Sequence, residues 1–240
     1  MTGRAEICVR NSLHWYEAIF RTHGLSGTSA DGVWSSHDDV PPYYSNAMTL
    51  NPSPVEPQIA ALRELASTLD RAWAVKDSFA TLDLGALGFK ALFDAEWIWR
   101  DPTQAAETDA EGVAWRKVAS APVLAEWERA WRDNGSPTDR AVFLPDLLSD
   151  RTIALFAAYQ GDSLVGGCAA NVSSEAVGFS NFFAADGDTE SLRAGALAVV
   201  GTFGAGLPVV GYEGGEELER ARRIGFQPVG PLRVWVCDRS

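Results

Sequence analysis

Two stretches of the chain follow one plan. AWAVKDSFATLDLGALGFKALFDAEWIWR (72–100) and LPVVGYEGGEELERARRIGFQPVGPLRVWV (207–236) each read as an apolar strand, a short helix, a Leu-Gly-Phe or Ile-Gly-Phe triplet, a spacer and a tryptophan-bearing strand. In each triplet the glycine suits a helix end with positive φ, and the phenylalanine after it is placed to plug a core. An amphipathic helix precedes each copy. In PQIAALRELASTLDR (57–71) Ile59, Leu62, Ala66 and Leu69 fall at helical spacing. In the segment 188–203 Leu192, Ala196, Val199 and Phe203 share a face, with Asp188 as N-cap. A strand–helix–strand unit leaves a sheet face uncovered, so the two copies are expected to pack into one body.

The rest of the chain completes the second copy more fully than the first. RTIALFAAY (151–159), LVGGCAANV (164–172) and AVGFSNFFA (176–184) are apolar runs joined by the short turns QGDS and SSE, which predicts an antiparallel meander. Before them GVAWRKV (112–118) reads as a strand, and APVLAEWERAW (121–131) as a helix with Leu124, Trp127 and Trp131 on one face. At the N-terminus residues 5–22 predict a helix ended by Gly24; 24–42 reads as a loop that Trp34 pins to the body, and YYSNAMTL (43–50) as a strand. The polar, acidic run DPTQAAETDAEG (101–112) is the natural linker. The expected parts are a helix and loop (1–42), a partial unit (43–105) and a complete one (112–240), in a mixed-sheet α/β class.

Charge and cysteine content narrow the function classes. With 20 basic against 32 acidic side chains the formal charge is −12, which argues against a nucleic-acid or anionic-membrane surface. The longest uncharged stretch, Ala194–Tyr212, is broken by glycines and Pro208 and reads as buried helix, turn and buried strand rather than a membrane span. The N-terminus carries no apolar signal core, and three cysteines at no ligand spacing fit a reducing cytoplasm. His14, His23 and His37, with Asp38 and Asp39, have no spacing that fixes two of them on one face, so no metal is expected. Cys168 reads as an inert core thiol, and the tryptophans as core packing with some lining a pocket.

The order strand, helix, three-strand meander, helix, strand, helix ending in Gly-Phe, strand resembles the GCN5-related N-acetyltransferase (GNAT) superfamily. The resemblance covers 112–240 in full and 43–100 as a truncated copy. It rests on that order, on LFAAYQGDSLVGGCAANV with Gly166-Gly167 at a small-residue position, and on LPVVGYE…ARRIGFQPVGPLRVWV. It implies acetyl-CoA held in a V between the strands 176–184 and 207–213, a backbone amide of the first strand polarising the thioester carbonyl, and a pyrophosphate on the amides that open the next helix. The implied cofactor residues are Phe182, Phe183, Ala184, Gly187, Thr189 and Arg193. Asn181 is the implied substrate contact, and Tyr212 and Glu213 at the mouth of the V are the catalytic candidates.

The chain departs from the family pattern twice. In place of Gln/Arg-x-x-Gly-x-Gly/Ala it has ADGDTESLRAGALA, which sets Asp186, Asp188 and Glu190 in the phosphate loop and predicts weak acetyl-CoA binding. Where the family often has a tyrosine acid, four residues before the glycine of Gly-Phe, stands Ala221. Glu213 reads either as a base toward an amine or as a solvated strand-end carboxylate. Two functions follow: an acyl-CoA-dependent N-acyltransferase acting on a small amine, or a GNAT-fold binding protein that has lost the pyrophosphate site.

Overall fold

A computed structural model describes residues 3–102, 112–185 and 189–238. Helix α1 (Arg4–Thr22) is followed by strands β1 (Thr28–Ala30), β2 (Val33–Ser35) and β3 (Ala47–Thr49), helix α2 (Val55–Thr68), and strands β4 (Trp73–Asp77), β5 (Lys90–Arg100) and β6 (Val113–Lys117). Then come α3 (Ala121–Asp133), the meander β7 (Ile153–Gln160), β8 (Ser163–Val172) and β9 (Val177–Ala184), then α4 (Thr189–Phe203), β10 (Val209–Glu213), α5 (Gly215–Arg223) and β11 (Gln227–Cys237). The class is the mixed α/β one that the sequence predicts. The segment 24–42 is a correction: it holds the hairpin β1–β2, turned by Asp31 and Gly32 at φ 52° and 79°. An Asp-Gly pair suits such a two-residue turn, and the polar composition around it masks the strands. Trp34 of that hairpin is buried, edge-on to Phe20 of α1 at 5.0 Å between ring centroids.

All the strands among the described residues join one 11-stranded sheet in the order β1-β2-β3-β4-β11-β5-β10-β9-β8-β7-β6. Two neighbouring pairs, β3–β4 and β9–β10, are parallel and the others antiparallel. β5 lies between β11 and β10, and β11 lies between β4 and β5, so each is flanked by strands distant from it in the sequence. β5 lines up along β10, with Trp97 opposite Tyr212, while β11 lines up along β4, with Trp235 opposite Val75. The exchanged strands pair with each other along most of their length.

Side chains alternate across this sheet and sort the core by face. Helices α1 and α3 cover one face, where Trp15, Ile19, Trp127, Trp131, Trp97 and Phe183 pack together. The opposite face is covered by α2 over Leu84, Phe89 and Trp235, and by α4 and α5 over Ile98, Phe179, Val209 and Phe226. The two Gly-Phe triplets do what their chemistry predicts. Gly88 and Gly225 take φ 84° and 94°, and the phenylalanines after them are buried, Phe89 against Trp73 and Phe226 stacked on Phe179. In the meander a Cβ on Gly167 would lie 2.3 Å from the Trp127 Nε1 and 2.6 Å from the Phe183 ring. The small residue there lets the Trp127 indole cross the sheet and donate to the Phe156 carbonyl at 2.8 Å.

Candidate functional site

β9 and β10 pair only at Val177/Val209 and Gly178/Val210, and beyond these residues the strands part. On its other edge β9 carries one residue more than β8, because Ala169 faces Ser180 while Gly167 faces Phe183. The extra residue is taken up by a bulge in which Asn181 stands at φ 51°, a conformation that asparagine tolerates better than most. A bulge leaves backbone groups out of the ladder, and this one lies on the wall of a cavity of about 620 Å³.

The cavity reaches both faces of the sheet. Asn181, Phe182, Phe183, Ala184, Thr189, Arg193, Tyr212 and Glu213, all expected at the site, line it together. Gly187, with Asp186 and Asp188, lies outside the described residues. Phe183 is the least available of the set, being buried edge-on against Trp127 at 5.3 Å.

On the α4 and α5 side the charges are linked. Arg193 is buried inside α4, its guanidinium 4.3 Å from the centre of the Phe182 ring. It pairs closely with Glu217 and reaches Glu213 at 3.6 Å. Burial pushes the Glu213 carboxyl up to about 7; Arg193 opposes the rise and Glu217 adds to it. The Glu213 side chain is 26 % exposed, so its carboxylate is partly withdrawn from water. Glu190, in the first turn of α4, forms an ion pair with Arg223 at 3.2 Å, so part of its charge is already answered.

On the α1 side the cavity is aromatic and holds one lysine that sequence reasoning missed. Lys76 of β4 is 1 % exposed. Its Nζ lies 4.2 Å from the Tyr212 ring centre, 4.8 Å from that of Tyr16 and 5.5 Å from that of Trp97, and donates to Ser12 Oγ at 3.2 Å. Among the described residues no carboxylate lies within ion-pair distance of it, and burial lowers its pKa to about 7. Burial pushes Tyr16 up to about 12, and the protein around Tyr212 raises that phenol too although the residue is 36 % exposed, so both keep their protons at neutral pH. A signal was present: a lysine between Val75 and Asp77 of an apolar strand must point to one face of the sheet or the other.

No family model matches the sequence, and no curated protein matches it either. Solved structures do match. A GCN5-related N-acetyltransferase from Kribbella flavida superposes with a TM-score of 0.73 over 100% of this chain and 97% of its own, at 15% identity. The chain has the GNAT fold. A conserved protein of unknown function from Staphylococcus epidermidis gives a TM-score of 0.65 over 89% of this chain and 94% of its own at 14% identity. A GCN5-related N-acetyltransferase from Sphaerobacter thermophilus gives 0.50 over 77% of this chain and 65% of its own at 13% identity. Identities this low carry the GNAT architecture and not the activity. Among the described residues there is no group of three His, Cys, Asp or Glu that could hold a metal, and no helix long and apolar enough to cross a membrane.

Proposed function

We propose that this chain is an acyl-CoA-dependent N-acyltransferase acting on a small amine. The observation that carries the proposal is the parted V of β9 and β10, whose cavity is lined from both faces of the sheet and keeps about 620 Å³ of space between its Trp and Phe side chains. Its described walls fit a pantetheine arm. They offer a narrow cleft, the bulged backbone at Asn181, the Phe182 ring and, at Thr189, the first residue of a 15-residue helix whose amides favour negative charge. When bound, acyl-CoA supplies the activated acyl carbonyl. Arg193 is already committed to Glu213 and Glu217, so its part is to hold those carboxylates and the Phe182 ring rather than a phosphate.

The chain's own groups divide the proton work. Glu213, with its carboxyl near neutrality, takes the proton that an ammonium must lose before its nitrogen can attack, directly or through one water. Tyr212 lines the same cavity, keeps its proton at neutral pH, and is the candidate donor to the departing thiolate in the role that Ala221 cannot fill. Calorimetric titration with acetyl-CoA, followed by thiol release in the presence of small amines, tests the reading. The rate is expected to rise with pH around a midpoint near 7, as Glu213 loses its proton. Glu213→Gln is expected to lower kcat about 10²-fold or more and to remove that rise. Absence of acetyl-CoA binding by the wild type would overturn the proposal in favour of a binding protein.

We also infer that 43–105 is a truncated copy of the unit 112–240. The mirrored strand order about β11–β5, the two parallel pairs and the two Gly-Phe turns support this. The three free, buried cysteines suit a reducing cytoplasm.

A further inference from the structure

We propose that the α1 side of the cavity is a carboxylate site, with Lys76 as the group that receives the acid. A buried ammonium is normally paired, because leaving it alone in a low-dielectric interior is costly. Lys76 is instead surrounded by the faces of Tyr16, Trp97 and Tyr212 and has one hydrogen bond, to Ser12 Oγ. An ammonium has three donors, so two of them have no hydrogen-bond partner among the described residues. The acidic residues that line the same cavity, Glu213 and Glu217, belong to the other face and are tied to Arg193. The groups that face Lys76 from α1, β5 and β10 are Ser12, Tyr16, Trp97 and Tyr212, none of them anionic at neutral pH.

Such a chamber favours a ligand that brings its own negative charge and an apolar body. The rings stabilise the ammonium through their faces, and the buried Tyr16 and Trp97 keep most water from it, which strengthens a charge-assisted bond to a carboxylate entering past Tyr212. Resting on the acyltransferase reading, the ligand is an acyl acceptor with an amine at one end and a carboxylate at the other, of the amino-acid type. The acid docks on Lys76 and the amine faces the V.

The test is calorimetry on the full chain without acetyl-CoA. Benzoate, propionate and a set of N-acetyl-amino acids are compared with the corresponding carboxamides. The acids are expected to bind about tenfold more tightly or better, and Lys76→Met to abolish that preference. Because Lys76 rests near pKa 7, binding at pH 7 should take up about half a proton, read from the dependence of the heat on the buffer's ionisation enthalpy. Acids that bind no better than amides, or a preference unchanged in Lys76→Met, would overturn the site. A Lys76-dependent preference for succinyl-CoA over acetyl-CoA, without one for free acids, would move the carboxylate to the acyl donor and overturn the acceptor assignment. Acid binding through Lys76 without any acetyl-CoA binding would leave the carboxylate site standing and remove the acyltransferase reading alone.

Discussion

Replacing Lys76 by methionine should stabilise the protein at neutral pH. The side chain is buried, and its pKa falls from the ordinary 10.5 to about 7 for reasons of burial. At 1.36 kcal/mol per pH unit, that difference is a cost on the order of 5 kcal/mol to the folded state. A folded-state pKa near 7 already contains what the ring faces return to the charged form, so an apolar side chain of similar length should gain on the order of a few kcal/mol at pH 7. The sign follows from linkage. A folded-state pKa below the unfolded value means that the unfolded chain takes the proton first, so wild-type stability falls as the pH drops from 10.5 to about 7 and is level below that. The advantage of Lys76→Met should therefore be full at pH 7, smaller at pH 9.5 and nearly gone above pH 10.5. Urea unfolding at pH 7 and pH 9.5 measures it, and a melting temperature higher by roughly 5–10 °C at pH 7 should accompany it. A variant less stable than wild type at pH 7, or one whose offset is the same at both pH values, would refute the assignment of Lys76 as a buried, uncompensated amine. Gained stability with lost carboxylate binding is the trade expected of a functional residue.

Two further substitutions examine the frame that holds the cavity. Phe226, 3 % exposed and stacked on Phe179 of β9, anchors the entry into β11; Phe226→Ala should cost about 3–5 kcal/mol in urea unfolding, and a near-neutral effect would contradict its core role. Gly167→Ala would drive a methyl into the Trp127 indole and the Phe183 ring and should cost about 1–3 kcal/mol, seen as a lower urea midpoint with an unchanged slope.

Much of the frame was legible because it is written in local chemistry. Gly88-Phe89 and Gly225-Phe226 announce a positive-φ turn and a buried ring, and both are found so. The meander follows from three apolar runs and two tight turns, and the break at Gly204–Gly206 separates α4 from β10 as expected. The described candidates at the V, from Asn181 to Glu213, come together because they sit on two adjacent strands and on the first turns of the helix that joins them, an order the sequence implies. What stayed hidden is non-local. The hairpin β1–β2 lies in a run of polar residues and is held by Trp34 on α1. The exchange of β5 and β11 leaves no local trace, because a strand's apolar pattern names its face and not its neighbour. Lys76 was missed for the same reason: its role depends on Tyr16, Trp97 and Tyr212, which stand 60, 21 and 136 positions away in the sequence.

The exchange also bears on why the first half is present at all. β10 takes its antiparallel neighbour, β5, from the first half, and β4 takes β11 from the second. A chain lacking either half would leave a long strand edge unpaired, with its backbone donors and acceptors open to another chain. The consequence reaches the cavity, because its α1 side is assembled across the same exchange. Trp97 arrives on β5, Lys76 on β4 and Tyr212 on β10, so the ammonium and two of the rings that hold it come from different parts of one continuous sheet. The second half supplies the parted strands of the V. The first half supplies the chamber's lysine, most of its rings and the covering helix α1. In this arrangement the ammonium chamber and the parted strands are built from different stretches of the chain and meet only because β5 and β11 stand side by side in the sheet.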